Sequence, residues 1–416
     1  MLVDRRTLIK GVGAGVGAAV LGAPAVRAQS KPLRIGFMTV KTGPLASGGI
    51  QMEQGLVLYL KEHNNMLAGV PVELFTVDTG GAPAVARTKL QELVELNKID
   101  CMIGPLSTQE ALAIDDTIRE TKIPTVFVAA ADDLTQRRVN PWVIRVTSTS
   151  SQCAHVMGDY AARDLKYKRA ATIADDIAYG HEMNAGFQRV FEEEGGKVVQ
   201  KLWPPLAVPD YGTYIAQLNP KLDGLFCGFA GSNGFRFFRQ FYEYGLKDKL
   251  PLLGGMTAFD ESLLPRMGDD AIGLLSVCWY SATIDNPQNK KFVAAMQRDY
   301  KVDPGFYAAA TYTAAAVLEA SVKALGARVG DKEALRDSLH AIKVEDTCRG
   351  PVSLDKNGNV VGNVYVRRVE KENGRFVNKV IKTYENIGQF WTYDPDAFIK
   401  SPVYSRDFPA AKNLEN

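Results

Sequence analysis

Residues 101–109 read Cys101-Met102-Ile103-Gly104-Pro105-Leu106-Ser107-Thr108-Gln109. Three apolar residues, a Gly-Pro turn signal and a hydroxyl ahead of a periodic segment spell a short buried strand running into a helix. The same unit recurs on both sides. Upstream, the apolar run Leu33–Met38 ends at Thr42-Gly43-Pro44, and Gln51–Asn64 carries Met52, Leu56, Tyr59 and Leu60 on one helical face. Val72–Val77 then reads as a strand, and Pro83 fits the first turn of a helix whose Leu90, Leu93 and Val94 point inward. Downstream, a helix from Gln109 leads to the strand Thr125–Val128.

A second set follows. Ser150–Leu165 reads as a helix, Ala170–Ile173 as a strand, Gly186–Glu194 as a helix and Leu225–Phe229 as a strand. Phe235–Tyr244 reads as a helix, with strands at Leu250–Leu253 and Leu274–Trp279. Alternation of this kind predicts an α/β chain with parallel sheets covered by helices on both faces. Two such sets predict two doubly wound lobes, as the 416-residue length also does. Three helices follow at Asn289–Tyr300, Tyr307–Leu325 and Lys332–Ile342. Val360–Glu370 and Phe376–Lys382 alternate like antiparallel strands joined by the hairpin signal Glu372-Asn373-Gly374. The tail from Tyr393, with Pro395, Pro402 and Pro409, is expected to wrap the surface without a core.

Composition narrows the function. With 49 basic and 47 acidic residues the net charge is +2, and no strong field points to nucleic acid. The five cysteines, Cys101, Cys153, Cys227, Cys278 and Cys348, show no CxxC pair and no zinc spacing, so neither a metal nor a disulfide framework is expected. Arg5-Arg6, the Gly/Ala-rich stretch Gly11–Leu21 and the small-residue cut site Val26-Arg27-Ala28 form an export signal over residues 1–28. The arginine pair with Lys10 resembles a twin-arginine signal, although Asp4 and Leu8 depart from its pattern, which leaves the export route open. Gly13–Ala18 mimics a dinucleotide fingerprint, but no strand precedes it.

The ordered set Thr42-Gly43-Pro44-Leu45-Ala46, Ile103-Gly104-Pro105-Leu106-Ser107, Asp133-Leu134-Thr135-Gln136, Tyr179-Gly180 and Arg349-Gly350-Pro351 resembles the type I periplasmic binding proteins of the leucine/isoleucine/valine-binding family. The resemblance implies a two-lobed periplasmic component of an ABC importer, with a membrane permease as partner, no cofactor and action as a monomer. It implies lobes of 31–147 plus 281–348 and 149–279 plus 353–392, and a surface tail over 393–416. Crossovers are placed near Val146–Thr149, Cys278–Ala282 and Cys348–Ser353, and the ligand in the cleft between lobes.

Carried over residue by residue, the resemblance makes Ser107, with Thr108 beside it, a holder of the ligand carboxylate; a plain N-cap serine is the other reading of Ser107. It places Ala129, Ala130 and Ala131 at a loop offering backbone bonds, where relatives also have a threonine. Tyr179 reaches across from the second lobe, and Phe229, Ala230 and Tyr307 form an apolar wall, each of these three being equally readable as core. Met256 stands where amino-acid binders carry the acid that pairs with the ligand ammonium. Methionine supplies no charge but packs well on a ring. The expected ligand is therefore a small aromatic carboxylate such as a benzoate or phenylpropanoid, with a branched-chain amino acid or amide, or a sensor role, as alternatives.

Enzyme readings are weaker. His63, His155, His181 and His340 form no metal motif, and no G-x-S-x-G or Walker sequence occurs. Asp132-Asp133 and Asp175-Asp176 follow strand ends, where aspartate commonly closes turns.

Overall fold

A computed structural model describes residues 31–415; the export signal expected over residues 1–28 lies outside them. The first sheet comprises β1 (Leu33–Thr39), β2 (Met66–Leu67), β3 (Val70–Asp78), β4 (Cys101–Ile103), β5 (Thr125–Phe127) and β6 (Val143–Arg145), in the order β2-β3-β1-β4-β5-β6. All pairs are parallel except the β2–β3 hairpin. Helices α1 (Ala46–Glu62), α2 (Pro83–Glu95) and α3 (Thr108–Thr121) make the crossovers that parallel pairing requires.

After α4 (Ser150–Arg163) a second sheet begins. β7 (Arg169–Ala174), α5 (Ala178–Glu193), β8 (Lys197–Leu202), α6 (Gly212–Ala216), β9 (Gly224–Gly228), α7 (Asn233–Glu243), β10 (Leu252–Gly254), α8 (Leu264–Met267) and β11 (Leu275–Cys278) follow in turn. The chain then returns to the first lobe through α9 (Pro287–Tyr300), α10 (Phe306–Leu325) and α11 (Lys332–His340). α10 packs on α1, where Thr311 Oγ1 donates to the Met52 carbonyl at 2.7 Å. Finally β12 (Lys343–Val344), β13 (Val352–Leu354), β14 (Val360–Glu372) and β15 (Arg375–Ile387) complete the second sheet, ordered β12-β13-β14-β11-β10-β9-β7-β8 with β15 on β14. β12 thus already pairs at the edge of the second sheet, within the span 281–348 expected for the first lobe.

The two doubly wound lobes are those the alternating pattern predicts. The Asn373-Gly374 turn has positive φ at both residues, as a tight hairpin needs; β14 matches its expected strand to within two residues, and β15 runs on from the expected Lys382 to Ile387. α5 starts eight residues before its expected Gly186, because Tyr179-Gly180 reads as a loop in sequence. Gly180 is helical, and a Cβ there would strike the Asp175 carbonyl. It is close packing, not a turn, that uses this glycine.

Three buried arginines sit where the chain passes between lobes. Arg145 donates to the carbonyls of Ala129 and Ala131 and to Asn359. Arg367 pairs with buried Glu261 at 3.2 Å and donates to the Tyr280 carbonyl. Arg349 donates to the Val146 and Thr147 carbonyls and lies 4.5 Å over the Trp279 ring.

The tail departs from expectation. It forms α12 (Pro395–Lys400) and a small core of its own with Phe398, Tyr404 and Ala185. Phe398 is 2% exposed, and Arg137 of the first lobe donates to the carbonyls of Phe398, Ser401 and Pro402. Proline content suggested a tail without a core, but Pro395 opens a helix and the aromatics between the prolines are buried. Phe398→Ala is expected to lower the unfolding free energy by about 3 kcal/mol, read by chemical denaturation, and to open residues after Gln389 to limited proteolysis.

Candidate functional site

The carboxyl ends of both parallel sheets face one narrow cavity with about 30 Å³ of free volume. From the first lobe it is lined by Leu45, Leu106, Ser107, Thr108, Val128, Ala130, Phe306 and Tyr307. The second lobe adds Ile177, Tyr179, Ala230 and Thr257. No Asp, Glu, Lys, Arg or His is among these lining residues. The lobes meet over its mouth, where the Pro44 carbonyl accepts from Ser232 N at 3.2 Å and Ser232 Oγ at 3.3 Å. Gly231 makes this approach feasible: its φ is +57°, and a Cβ would collide with the Pro44 carbonyl.

Of the ten residues singled out in the sequence, six line the cavity: Ser107, Thr108, Ala130, Tyr179, Ala230 and Tyr307. Four do not. Ala129 and Ala131 pack into the first lobe's core, and their carbonyls serve Arg145. The Phe229 ring packs between Tyr211 and Phe237. Met256 is buried in the core, where Ser148 Oγ lies 3.1 Å from its sulfur. The next residue, Thr257, holds the cavity position instead. Adjacent residues of a turn point apart, so a one-residue displacement exchanges cavity for core. Leu45, Leu106, Val128, Ile177 and Phe306 were missed because apolar residues in strand-to-helix loops and at helix starts carry no signal separating a cavity wall from a core.

Ser107 is an N-cap. Its hydroxyl accepts from Glu110 N and donates to Glu110 Oε2 at 2.7 Å, while Glu110 reaches back to Ser107 N at 3.1 Å. This capping box commits the Ser107 proton to a carboxylate inside the fold. Burial pushes the Glu110 carboxyl up, against hydrogen bonds from Thr79 and Ser107 that pull it down. Thr108 differs: it is 2% exposed, and its Oγ1 has no partner among the described residues. As first residue of the 14-residue helix α3, it also has a backbone N–H with no intrahelical acceptor. Thr108 therefore presents two free donors to the cavity at the positive end of a helix dipole.

On the facing wall, the Tyr179 hydroxyl lies 3.1 Å from Thr257 Oγ1. Burial raises both Tyr179 and Tyr307, so both phenols are neutral. Asp175 anchors this wall from behind, accepting from Ala230 N at 2.9 Å and Asn233 Nδ2 at 2.7 Å.

The chain matches the periplasmic binding protein family model over residues 32–375. It belongs to that family. This periplasmic binding protein is 30% identical to a solute-binding protein of an ABC transporter from Rhodopseudomonas palustris BisB5, solved with 3,4-dihydroxybenzoic acid. The TM-score is 0.82, covering 86% of this chain and 98% of that one. A second R. palustris solute-binding protein, solved with benzoate, is 27% identical with a TM-score of 0.80, covering 86% and 97%. A Leu/Ile/Val-binding protein homolog from Brucella abortus strain 2308 is 27% identical over 89% of this chain and 96% of its own. Family members are solute-binding proteins, and this one is of the ABC-transporter type. Among the described residues no helix is long and apolar enough to cross a membrane, and no metal-binding cluster occurs.

Burial raises Asp175 to about 7, against an ordinary 3.8. Between those values the fold holds a proton that the unfolded chain has lost, so stability falls as pH rises through the window. The denaturation midpoint is expected to drop between pH 4 and pH 7, with a shallower slope in Asp175→Asn, measured by urea titration at each pH.

Proposed function

We propose that this binding protein captures a small aromatic monocarboxylate in the inter-lobe cavity and presents its closed form to an ABC permease in the periplasm. The observation that carries the reading is the charge-free cavity with Thr108 at one wall. A carboxylate there meets the Thr108 hydroxyl and amide at the start of α3, and the amide of Ala130, which has no partner among the described residues. The ring lies among Leu45, Val128, Ile177 and Phe306. An α-amino acid fares worse: its desolvated ammonium would cost several kcal/mol without a counter-charge. The nearby acids are engaged elsewhere, Asp260 by Phe306 N at 2.8 Å and Glu261 by Arg367.

The two similar R. palustris proteins solved with benzoates support this reading. The Brucella relative's name favours branched-chain amino acids as the second reading. Closure would pivot on the crossovers near Val146–Thr149, Cys278–Ala282 and Cys348–Ser353, with the protein acting as a monomer after removal of the leader.

Thermal-shift scans against benzoates, cinnamates, short aliphatic acids and amino acids test it. Aromatic acids are expected to raise the melting temperature, since a ligand at 100 times its Kd stabilises by about 2.7 kcal/mol. Leucine, isoleucine and valine are expected to leave it unchanged. Thr108→Val, which removes one charge-assisted hydrogen bond, is expected to weaken aromatic-acid binding by about tenfold or more in calorimetric titration. A shift with branched-chain amino acids alone would overturn the reading.

A further inference from the structure

The cavity has a hydrogen-bond polarity that follows from the direction of two hydroxyl groups. Thr257 Oγ1 donates to the Phe229 carbonyl at 2.9 Å. That carbonyl can only accept, and among the described residues no second donor reaches it. Threonine has one hydroxyl proton. With that proton fixed on Phe229, the 3.1 Å contact between Tyr179 and Thr257 has Tyr179 as donor. The Tyr179 proton therefore turns toward Thr257, and what the cavity meets is the lone pairs of the Tyr179 oxygen. Reversing the chain would strand a buried carbonyl at a cost of about 1–3 kcal/mol. Across the cavity Thr108 offers a backbone amide, which only donates, and a hydroxyl without a partner among the described residues, which can donate. One wall can donate and the other accepts.

We propose that Tyr179, oriented by Thr257, selects aromatic carboxylates that carry a hydrogen-bond donor, a ring hydroxyl or amino group, on the side of the ring away from the carboxylate. This rests on the aromatic-carboxylate reading and narrows it. An unsubstituted ring brings no donor to the Tyr179 oxygen. A ring fluorine or methoxy group sets lone pairs against lone pairs. Phe229 then contributes through its carbonyl rather than its ring, as the fixed end of the chain that sets the Tyr179 proton. Thr257 is a positioning residue and Tyr179 the specificity-determining contact.

Isothermal titration of the purified protein with benzoate, 3- and 4-hydroxybenzoate, 4-aminobenzoate and 4-fluorobenzoate tests the assignment. A hydroxy- or aminobenzoate is expected to bind at least about tenfold tighter than benzoate and fluorobenzoate, because a site built to bond a polar group discriminates against analogues lacking it. The ratio, not the absolute affinity, is the readout, since general damage to the site weakens all ligands together. Tyr179→Phe and Thr257→Val are expected to bring the ratio near one, whereas Thr257→Ser, which keeps the hydroxyl, retains it. Equal affinities for fluoro- and hydroxybenzoate, or a ratio that survives Tyr179→Phe, would overturn the selection rule and leave the aromatic-carboxylate reading standing. Failure of every aromatic acid to bind would overturn both.

Discussion

Wherever a chain leaves one sheet for another, its carbonyls lose their ladder partners inside the protein, and an unsatisfied buried carbonyl is costly. Three guanidinium groups answer that constraint here. Arg349 takes the Val146 and Thr147 carbonyls and stacks on Trp279, so one side chain touches all three expected crossover segments. Arg367 takes the Tyr280 carbonyl, and Arg145 those of the alanine loop. A planar fork of five donors suits this task better than the single ammonium of lysine. Because the loops so held are those that end at the cavity, the shape of the site depends on these contacts.

From those contacts the site follows in layers. Trp279 packs edge-on to Phe306, 5.3 Å between centroids, and Phe306 lines the cavity. Thr147 follows Val146 and hydrogen-bonds the Val128 carbonyl of a lining residue. On the second lobe, Asp175 holds the amide of Ala230, while Thr257 ties Tyr179 to the backbone of Phe229. The cavity is thus apolar in its walls and directional in its few polar groups, which is how a small pocket combines affinity with orientation.

Ser107 and Thr108 are adjacent hydroxyls with different fates. Ser107 satisfies the helix start and is itself satisfied by Glu110. Thr108, one residue on, is left with its proton free and buried. The cap makes the helix begin at a fixed place, and the free threonine makes that place a donor surface. Of the two hydroxyls that the sequence reading paired, Ser107 is committed to the cap and Thr108 is left without a partner among the described residues.

The sequence by itself determined the two-lobed α/β plan, because strand-and-helix periodicity is a local property of apolar spacing and each unit must bury its own stripe. Gly-Pro turns marked the strand ends before Leu45 and Leu106, whereas the family resemblance, not spacing, pointed to Ser107, Thr108, Ala130, Tyr179, Ala230 and Tyr307, all of which line the cavity. Only the tertiary structure decided which side chain at each strand end faces the cavity. Met256 against Thr257 is a matter of one residue's rotation, set by Ser148 and Arg367 from distant segments. The tail was decided the same way: Phe398 is buried only because α5 and Arg137 meet it from both sides. Apolar spacing encodes which stripe of an element is buried, whereas the partner that buries it, and the direction of each hydroxyl proton, exist only once the lobes have closed on one another.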